Sequence, residues 1–270
     1  MRQTKRSKLT AALCVFLCAA LLVSLGVSCA RRRRVVTRTT ANTTDETSES
    51  VEKQPVDSDG IEINADTGHI IVIDPGHGVG DDGYTSEFTY DTEAQITKAF
   101  ADALAEKLTA RGYTVYLTHD GDTVPETDAE NGDGVYSDRE RSAFANEKKA
   151  DYFLSIHCNM YSGNGAEDVT GIRVYASAAA KADTEFIRRA GEAMCASLSS
   201  RSLGSEMPDL IVSPEYDSYP ITTYAECVSL LLMLGYMTNE HDVGDMTDPE
   251  WIERTAELAA SGIDAYFPKR

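Results

Sequence analysis

The chain has 270 residues, a formal net charge of −19 and 42% hydrophobic residues. That is enough chain for one sizeable globular domain with a proper core. The first 38 residues hold nine Lys and Arg and no acid, so the remainder sets sixteen basic against forty-four acidic residues, a net of about −28. So acidic a body repels nucleic-acid phosphates and anionic polymers, which argues against nucleic acid as a partner and leaves binding to a cleft rather than to a charged surface.

Residues 1–34 read as an export segment. Arg2, Lys5, Arg6 and Lys8 precede Ala11 to Ala30, twenty residues without a charge. As a helix that run is roughly 30 Å long, enough to cross a bilayer core. Two readings stand: an uncleaved signal anchor, or lipidation at Cys29, since Gly26-Val27-Ser28-Cys29 is similar to a lipoprotein processing site. Arg31 to Arg34 follow directly, so positive charge flanks both ends and does not decide orientation. Residues 35–67 are rich in Thr, Ser, Asp and Glu and nearly free of large apolar side chains, the composition of a disordered polar stalk. Residues 68–270 make the folded domain.

Within it, His69 to Ile73 is a β-branched apolar run that stops on Asp74-Pro75-Gly76 and delivers His77. This is a buried strand with a histidine just beyond its carboxyl end, the edge where clefts of open α/β sheets form. The following Gly78-Val79-Gly80-Asp81-Asp82-Gly83 matches G-x-G-x-x-G, but Tyr84 to Tyr90 separate it from the next helix and the two aspartates repel phosphate. A glycine-rich active-site loop accounts for it better than a dinucleotide site. The helix begins near Asp91 or Thr92, carries Ile96, Phe100, Ala103, Leu104 and Leu108 on one face, and ends at Gly112. Glu93 falls in its first turn, beside the strand ends. Such a glutamate ordinarily serves the helix dipole; as a ligand it has Glu87 as its fallback.

Thr114 to His119 reads as the second strand, with His119 as a surface residue, or else a polar group at the cleft rim. The acidic loop Asp120 to Val135 fits no calcium-loop pattern. Ser137-Asp138-Arg139-Glu140 is a capping box opening a helix to about Lys149, with Ala143, Phe144 and Ala145 toward the core. Asp151 to Asn159 is an apolar strand that ends on His157. Gly171 to Ser177 reads as a strand and Ala178 to Ser199 as a helix with Phe186, Ile187, Ala190 and Met194 periodic. Val228 to Leu234 is the last buried strand, and Asp248-Pro249-Glu250 opens a closing helix that buries Trp251, Leu258, Ile263 and Phe267. Alternating strands and helices predict an α/β fold, a single three-layer domain with a largely parallel or mixed sheet between helices. Cys158, Cys195 and Cys227 make neither a metal spacing nor a paired framework and read as small buried apolar residues.

Two histidines and one carboxylate on one edge form a three-ligand set with an open fourth position, the pattern of a catalytic zinc. Asp74-Pro75-Gly76-His77-Gly78, Glu93, Leu117-Thr118, Arg141, Ala150-Asp151 to Ser155-Ile156-His157-Cys158-Asn159, and Gly235-Tyr236-Met237-Thr238-Asn239, over about residues 69 to 267, resemble the zinc-dependent N-acetylmuramoyl-L-alanine amidases of bacterial cell walls. The resemblance implies Zn2+ held by His77, Glu93 and His157, the last two of which would be weak expectations on their own. It implies peptidoglycan or muramyl peptides as partners and hydrolysis of the amide between N-acetylmuramic acid and L-alanine. It also implies an extracytoplasmic place for the domain, anchored at the membrane of a bacterial cell surface.

One position departs from the pattern. In the family a glutamate two residues before the Gly-Tyr of the last strand carries the proton of the reaction; here that position is Met233. Glu226, seven residues earlier on a continuous strand, points to the opposite face and lies over ~20 Å away along the chain. Glu240 follows the strand and is the fallback carrier. Two functions therefore compete: an amidase with another proton carrier, and a zinc-binding pseudoenzyme that binds wall fragments or regulates a partner hydrolase.

Overall fold

The computed structural model describes residues 66–123, 136–177, 181–199, 208–213 and 219–268. The expected export segment 1–34 and nearly all of the stalk 35–67 lie outside the described residues. Among the described residues no helix is long and apolar enough to cross a membrane.

In chain order the elements are β1 (Ile70–Pro75), α1 (Glu93–Ala110), β2 (Thr114–Leu117), α2 (Asp138–Glu147), β3 (Tyr152–Asn159), a 3-10 turn at Ala166–Asp168, β4 (Arg173–Ser177), α3 (Thr184–Ser199), β5 (Asp209–Ser213), α4 (Pro220–Thr223), β6 (Val228–Tyr236), α5 (Glu240–Thr247) and α6 (Pro249–Tyr266). The six strands form one sheet in the order β2-β1-β3-β6-β4-β5. β2, β1, β3 and β6 run parallel, β4 is antiparallel to β6, and β5 is parallel to β4. The sheet is thus mixed, as expected, with its reversal at β6/β4.

Alternation along the strands separates two apolar layers. Ile71 and Ile73 of β1, Leu154 and Ile156 of β3, and Leu230 and Leu232 of β6 join the large cluster beneath α1, α3 and α6, with Phe100, Leu104, Met194, Trp251 and Ile263. Val72, Phe153 and Leu231 point the other way and pack with Phe144 and Ala145 of α2 and Ile221 of α4, and the half-buried Met233 lies against this smaller cluster. Helix starts follow their caps: Thr92 and Ser137 each form a reciprocal capping box, with Gln95 and Glu140.

Several expectations change. Ala143 is exposed while Arg141, Ser142, Phe144 and Ala145 are buried, because position 143 falls on the outward face of α2, between the two buried pairs. Phe186 is 49% exposed, at the edge of the α3 face formed by Ile187, Ala190 and Met194, and α3 itself begins at Thr184. β2 ends at Leu117 rather than His119. His119 is not a surface residue: it is 3% exposed. Of the three cysteines among the described residues, Cys158 is buried, Cys195 and Cys227 are half-buried, and all three are free.

Candidate metal centre

The carboxyl ends of β1 and β3 and the amino end of α1 meet at one edge of the sheet. His77 leaves β1 through a tight turn in which Gly78 and Asp81 exchange backbone hydrogen bonds of 2.8 and 3.1 Å. The turn holds His77 at φ 63 and Val79 at φ 53, left-handed conformations that are uncommon for such side chains and need surrounding structure to enforce them. Arg141 supplies much of that structure. It is 5% exposed, and its guanidinium donates to Asp74 Oδ1 (3.0 Å), Pro75 O (2.9 Å), His77 O (2.7 Å) and Tyr136 O (2.8 Å). Asp74, fully buried, also accepts from Thr118 Oγ1 at 2.5 Å and Ser155 Oγ at 2.7 Å. A buried carboxylate with this many donors is compensated rather than costly.

Above this base His77, Glu93 and His157 converge, with one ligand atom from each lying within 4.8 Å of the others. Glu93, 6% exposed, sits between the imidazoles: Oε2 is 3.1 Å from His77 Nε2 and Oε1 is 3.1 Å from His157 Nδ1. Its orientation is set by the Cys158 amide, which donates to Oε1 at 2.8 Å, and more weakly by Tyr84 N at 3.4 Å. The far nitrogen of His77, Nδ1, is 2.8 Å from Asp81 Oδ2. Asp81 therefore fixes the tautomer and leaves Nε2 facing the cluster, the outer-shell arrangement common behind metal-ligating histidines.

Two glycines make room for the trio. A Cβ on Gly76 would lie 2.5 Å from the His157 ring, and one on Gly83 would lie 2.7 Å from the His77 ring and 2.9 Å from Glu93 Cβ. Burial opposes protonation of His77, but the hydrogen bond and charge of Glu93, then those of Asp81, outweigh it and raise its pKa to about 9. Burial likewise pushes Glu93 up, and the hydrogen bonds from His157 and His77 outweigh it, holding the carboxyl well below the usual range. A buried carboxylate flanked by two imidazoles suits a divalent transition-metal cation of borderline softness.

Of the residues singled out in the sequence, His77, Glu93 and His157 come together. Glu87 is exposed on the loop before α1 and stands apart from the trio. Met233 is the Cα partner of His157 across β3 and β6, so the position that departs from the family pattern borders the cluster. Glu226 pairs with Lys181 at 2.9 Å in an exposed ion pair, and Glu240 is exposed at the start of α5. Sequence reasoning missed Asp81 as the His77 partner, although its place four residues on was a usable signal. It also missed the Asp74–Arg141 base of the turn, which joins residues 67 apart and has no local signature.

A family model described as N-acetylmuramoyl-L-alanine amidase matches residues 71–265. An uncharacterized cell wall amidase of Bacillus anthracis is 29% identical over 213 residues, covering 74% of this chain and 36% of that protein. The N-acetylmuramoyl-L-alanine amidase LytC of Bacillus subtilis is 27% identical over 210 residues, covering 76% of this chain and again 36% of the relative. The crystal structure of N-acetylmuramoyl-L-alanine amidase from Clostridium difficile 630 superposes with a TM-score of 0.58 at 22% identity, over 75% of this chain and 97% of that one. At that identity the likeness speaks to the fold.

Proposed function

The chain belongs to the N-acetylmuramoyl-L-alanine amidase family, and from that premise we propose that it is a zinc-dependent amidase cutting peptidoglycan between N-acetylmuramic acid and L-alanine. The observation that carries the reading is the trio His77, Glu93 and His157, with ligand atoms within 4.8 Å of one another at the carboxyl edge of the sheet. These residues would hold the metal, with His77 Nε2 presented by Asp81 and Glu93 steadied by the Cys158 amide. Zinc in an open three-ligand site supplies a Lewis acid and a nucleophile at neutral pH. The protein's own contribution is positional: the Arg141 fork and the two glycines keep both imidazoles and the carboxylate turned to one point before substrate arrives.

A second reading rests on Met233. Its side chain occupies the place beside His157 where the reaction needs a group able to carry a proton, and a thioether has no proton to give or accept. On this reading the chain binds wall fragments, or modulates a partner hydrolase, without efficient turnover. For localisation, the family and the composition of residues 1–67 support an extracytoplasmic domain, 68–270, joined by a polar stalk, 35–67, to a membrane segment, 1–34.

The test is digestion of purified peptidoglycan by the full chain, with zinc and with a chelator. Release of stem peptides that the chelator abolishes supports the amidase. Binding of wall fragments by the zinc-loaded chain with no release supports the second reading, and neither binding nor release refutes both.

A further inference from the structure

Three adjacent strands place His157, Met233 and Arg173 in one row. His157 pairs with Met233 across β3/β6, and Met233 pairs with Arg173 across β6/β4. Residues directly opposite each other on neighbouring strands share a face, and the packing agrees: Tyr175 and Met233 lie against the smaller cluster while Val174 and Leu232 lie in the larger one. Arg173 therefore stands on the metal-site face, two strand spacings from His157, roughly 10 Å.

The end of β6 is shaped to the same purpose. The register shifts between His157 and Asn159, so that Asn159 pairs with Tyr236 and the extra residue of β6 turns Tyr236 onto the face of His157 and Met233. The Arg173 guanidinium lies over the Tyr236 ring, 5.7 Å from its centroid. Asp242 fixes both strands, accepting from Gly171 N at 2.9 Å and Tyr236 N at 2.8 Å, so the arginine springs from a tied segment rather than a free loop.

This cation is incompletely used. Its Nη1 donates to Ile172 O at 3.1 Å, and its Nε is 3.5 Å from Asp209 Oδ2, a carboxylate with 66% of its side chain exposed to solvent. Such an exposed pair at that distance contributes little. Among the described residues Nη2 has no hydrogen-bond partner, although the side chain is only 14% exposed. Arg141, on α2 on this side of the sheet, has its guanidinium consumed by Asp74 and three carbonyls. In a domain of strong net negative charge, a half-open guanidinium fork beside the cleft is the feature that would recruit rather than repel an anion.

We propose that Arg173 is a specificity-determining residue that receives a carboxylate of the peptide part of the substrate. The inference rests on the peptidoglycan reading above and adds which end of the substrate lies where: the peptide runs from the metal centre across Met233 toward β4. An extended peptide advances ~3.5 Å per residue and the arginine side chain reaches back toward the cleft, so the carboxylate that meets the fork belongs to the second residue beyond the scissile amide, because the first, alanine, has its carboxyl in the next peptide bond. A carboxamide at the same place could accept one hydrogen bond but would lose the charge and the paired geometry.

The experiment is calorimetric binding of two muramyl dipeptides, identical except that the second residue carries a free carboxylate or a carboxamide, to the zinc-loaded full chain and to Arg173→Gln and Arg173→Lys. Elemental analysis of each variant shows whether the metal centre has survived the substitution. The expected result is at least tenfold tighter binding of the carboxylate by the natural chain, loss of that preference in Arg173→Gln with unchanged affinity for the carboxamide and unchanged zinc, and partial retention in Arg173→Lys. If the natural chain binds both ligands and Arg173→Gln keeps the preference, or the natural chain shows none, the role given to Arg173 is wrong and the peptidoglycan reading stands. If the natural chain binds neither, both fall.

Discussion

Met233 and His157 are directly paired across β6 and β3, on the same face of the sheet. Neighbouring strands lie about 4.8 Å apart, so whatever side chain position 233 carries borders the centre formed by His77, Glu93 and His157. Loss of a general acid or base typically lowers a rate by about 10²- to 10⁴-fold. Met233→Glu is accordingly expected to raise release of stem peptides from purified peptidoglycan at least tenfold, with zinc content unchanged. Met and Glu are both unbranched at Cβ, and Arg173 on the other flank offers the new carboxylate a counter-charge. Equal release by the natural chain and the variant would show that another group carries the proton, with Glu240 the next to substitute.

The ligand assignment predicts that the full chain binds one zinc and that His77→Ala or His157→Ala loses it. Asp81 acts one step further out. Its carboxylate, 2.8 Å from His77 Nδ1, holds the ring and its tautomer, and outer partners of this kind typically change metal affinity by about 10- to 100-fold. Asp81→Asn should weaken zinc binding within that range in a competition titration against a chromogenic chelator. Full zinc in His157→Ala, by elemental analysis, would remove the assignment.

Zinc binding should also displace a proton. With its pKa raised to about 9, His77 is protonated in the metal-free protein at pH 7, and a nitrogen that carries a proton cannot ligate. Apparent zinc affinity is therefore expected to rise with pH from 7 toward 9 and to level off above it. Calorimetry in buffers of different ionisation enthalpy reads the released proton directly, and a pH-independent affinity over that window would contradict the placement of His77 between Glu93 and Asp81.

The parts of this site that could be read from the sequence are those whose signals are local. Val72-Ile73-Asp74-Pro75-Gly76 announces a strand and its stop, and the Thr92 cap places Glu93 in the first turn of α1. α5 has a local signal too, since Asn239 caps it by accepting from Asp242 N, and Pro220 stands in the first turn of α4. What escaped depends on residues far apart in the chain. The reversal of β4 is invisible to a burial pattern, which has no direction, and with it the row His157, Met233, Arg173. His119 continues the inward phase of β2, in which Val115 and Leu117 face solvent less than Thr114 and Tyr116, but the half-burial of that phase does not announce a fully buried ring. Its burial is created from elsewhere, by the missing side chain of Gly78, where a Cβ would lie 2.6 Å from the ring.

That buried histidine supports the last prediction. His119 Nε2 is 2.7 Å from Pro75 O, and its Nδ1 accepts the Gly121 N–H at 3.0 Å. The first contact requires a proton on Nε2 and the second forbids one on Nδ1, so the ring is held neutral. Burial, despite the favourable Pro75 carbonyl, lowers its pKa below the ordinary value of 6.5, with the nearby Arg141 charge acting in the same direction. In the unfolded chain the same histidine takes up a proton near pH 6.5. Below that pH the unfolded state binds more protons than the folded one, so the stability that His119 contributes is complete above about 6.5 and declines as pH falls toward the lowered folded value. Each pH unit over which the unfolded chain alone holds the proton costs about 1.4 kcal/mol. His119→Gln keeps a donor and an acceptor but does not titrate. Denaturant unfolding of the metal-free natural chain and of this variant between pH 7.5 and 5 should show their stability difference shrinking, or changing sign, as the pH falls. A difference that stays constant across the range would mean that His119 accepts a second proton in the folded state and that the Gly121 contact does not hold it neutral.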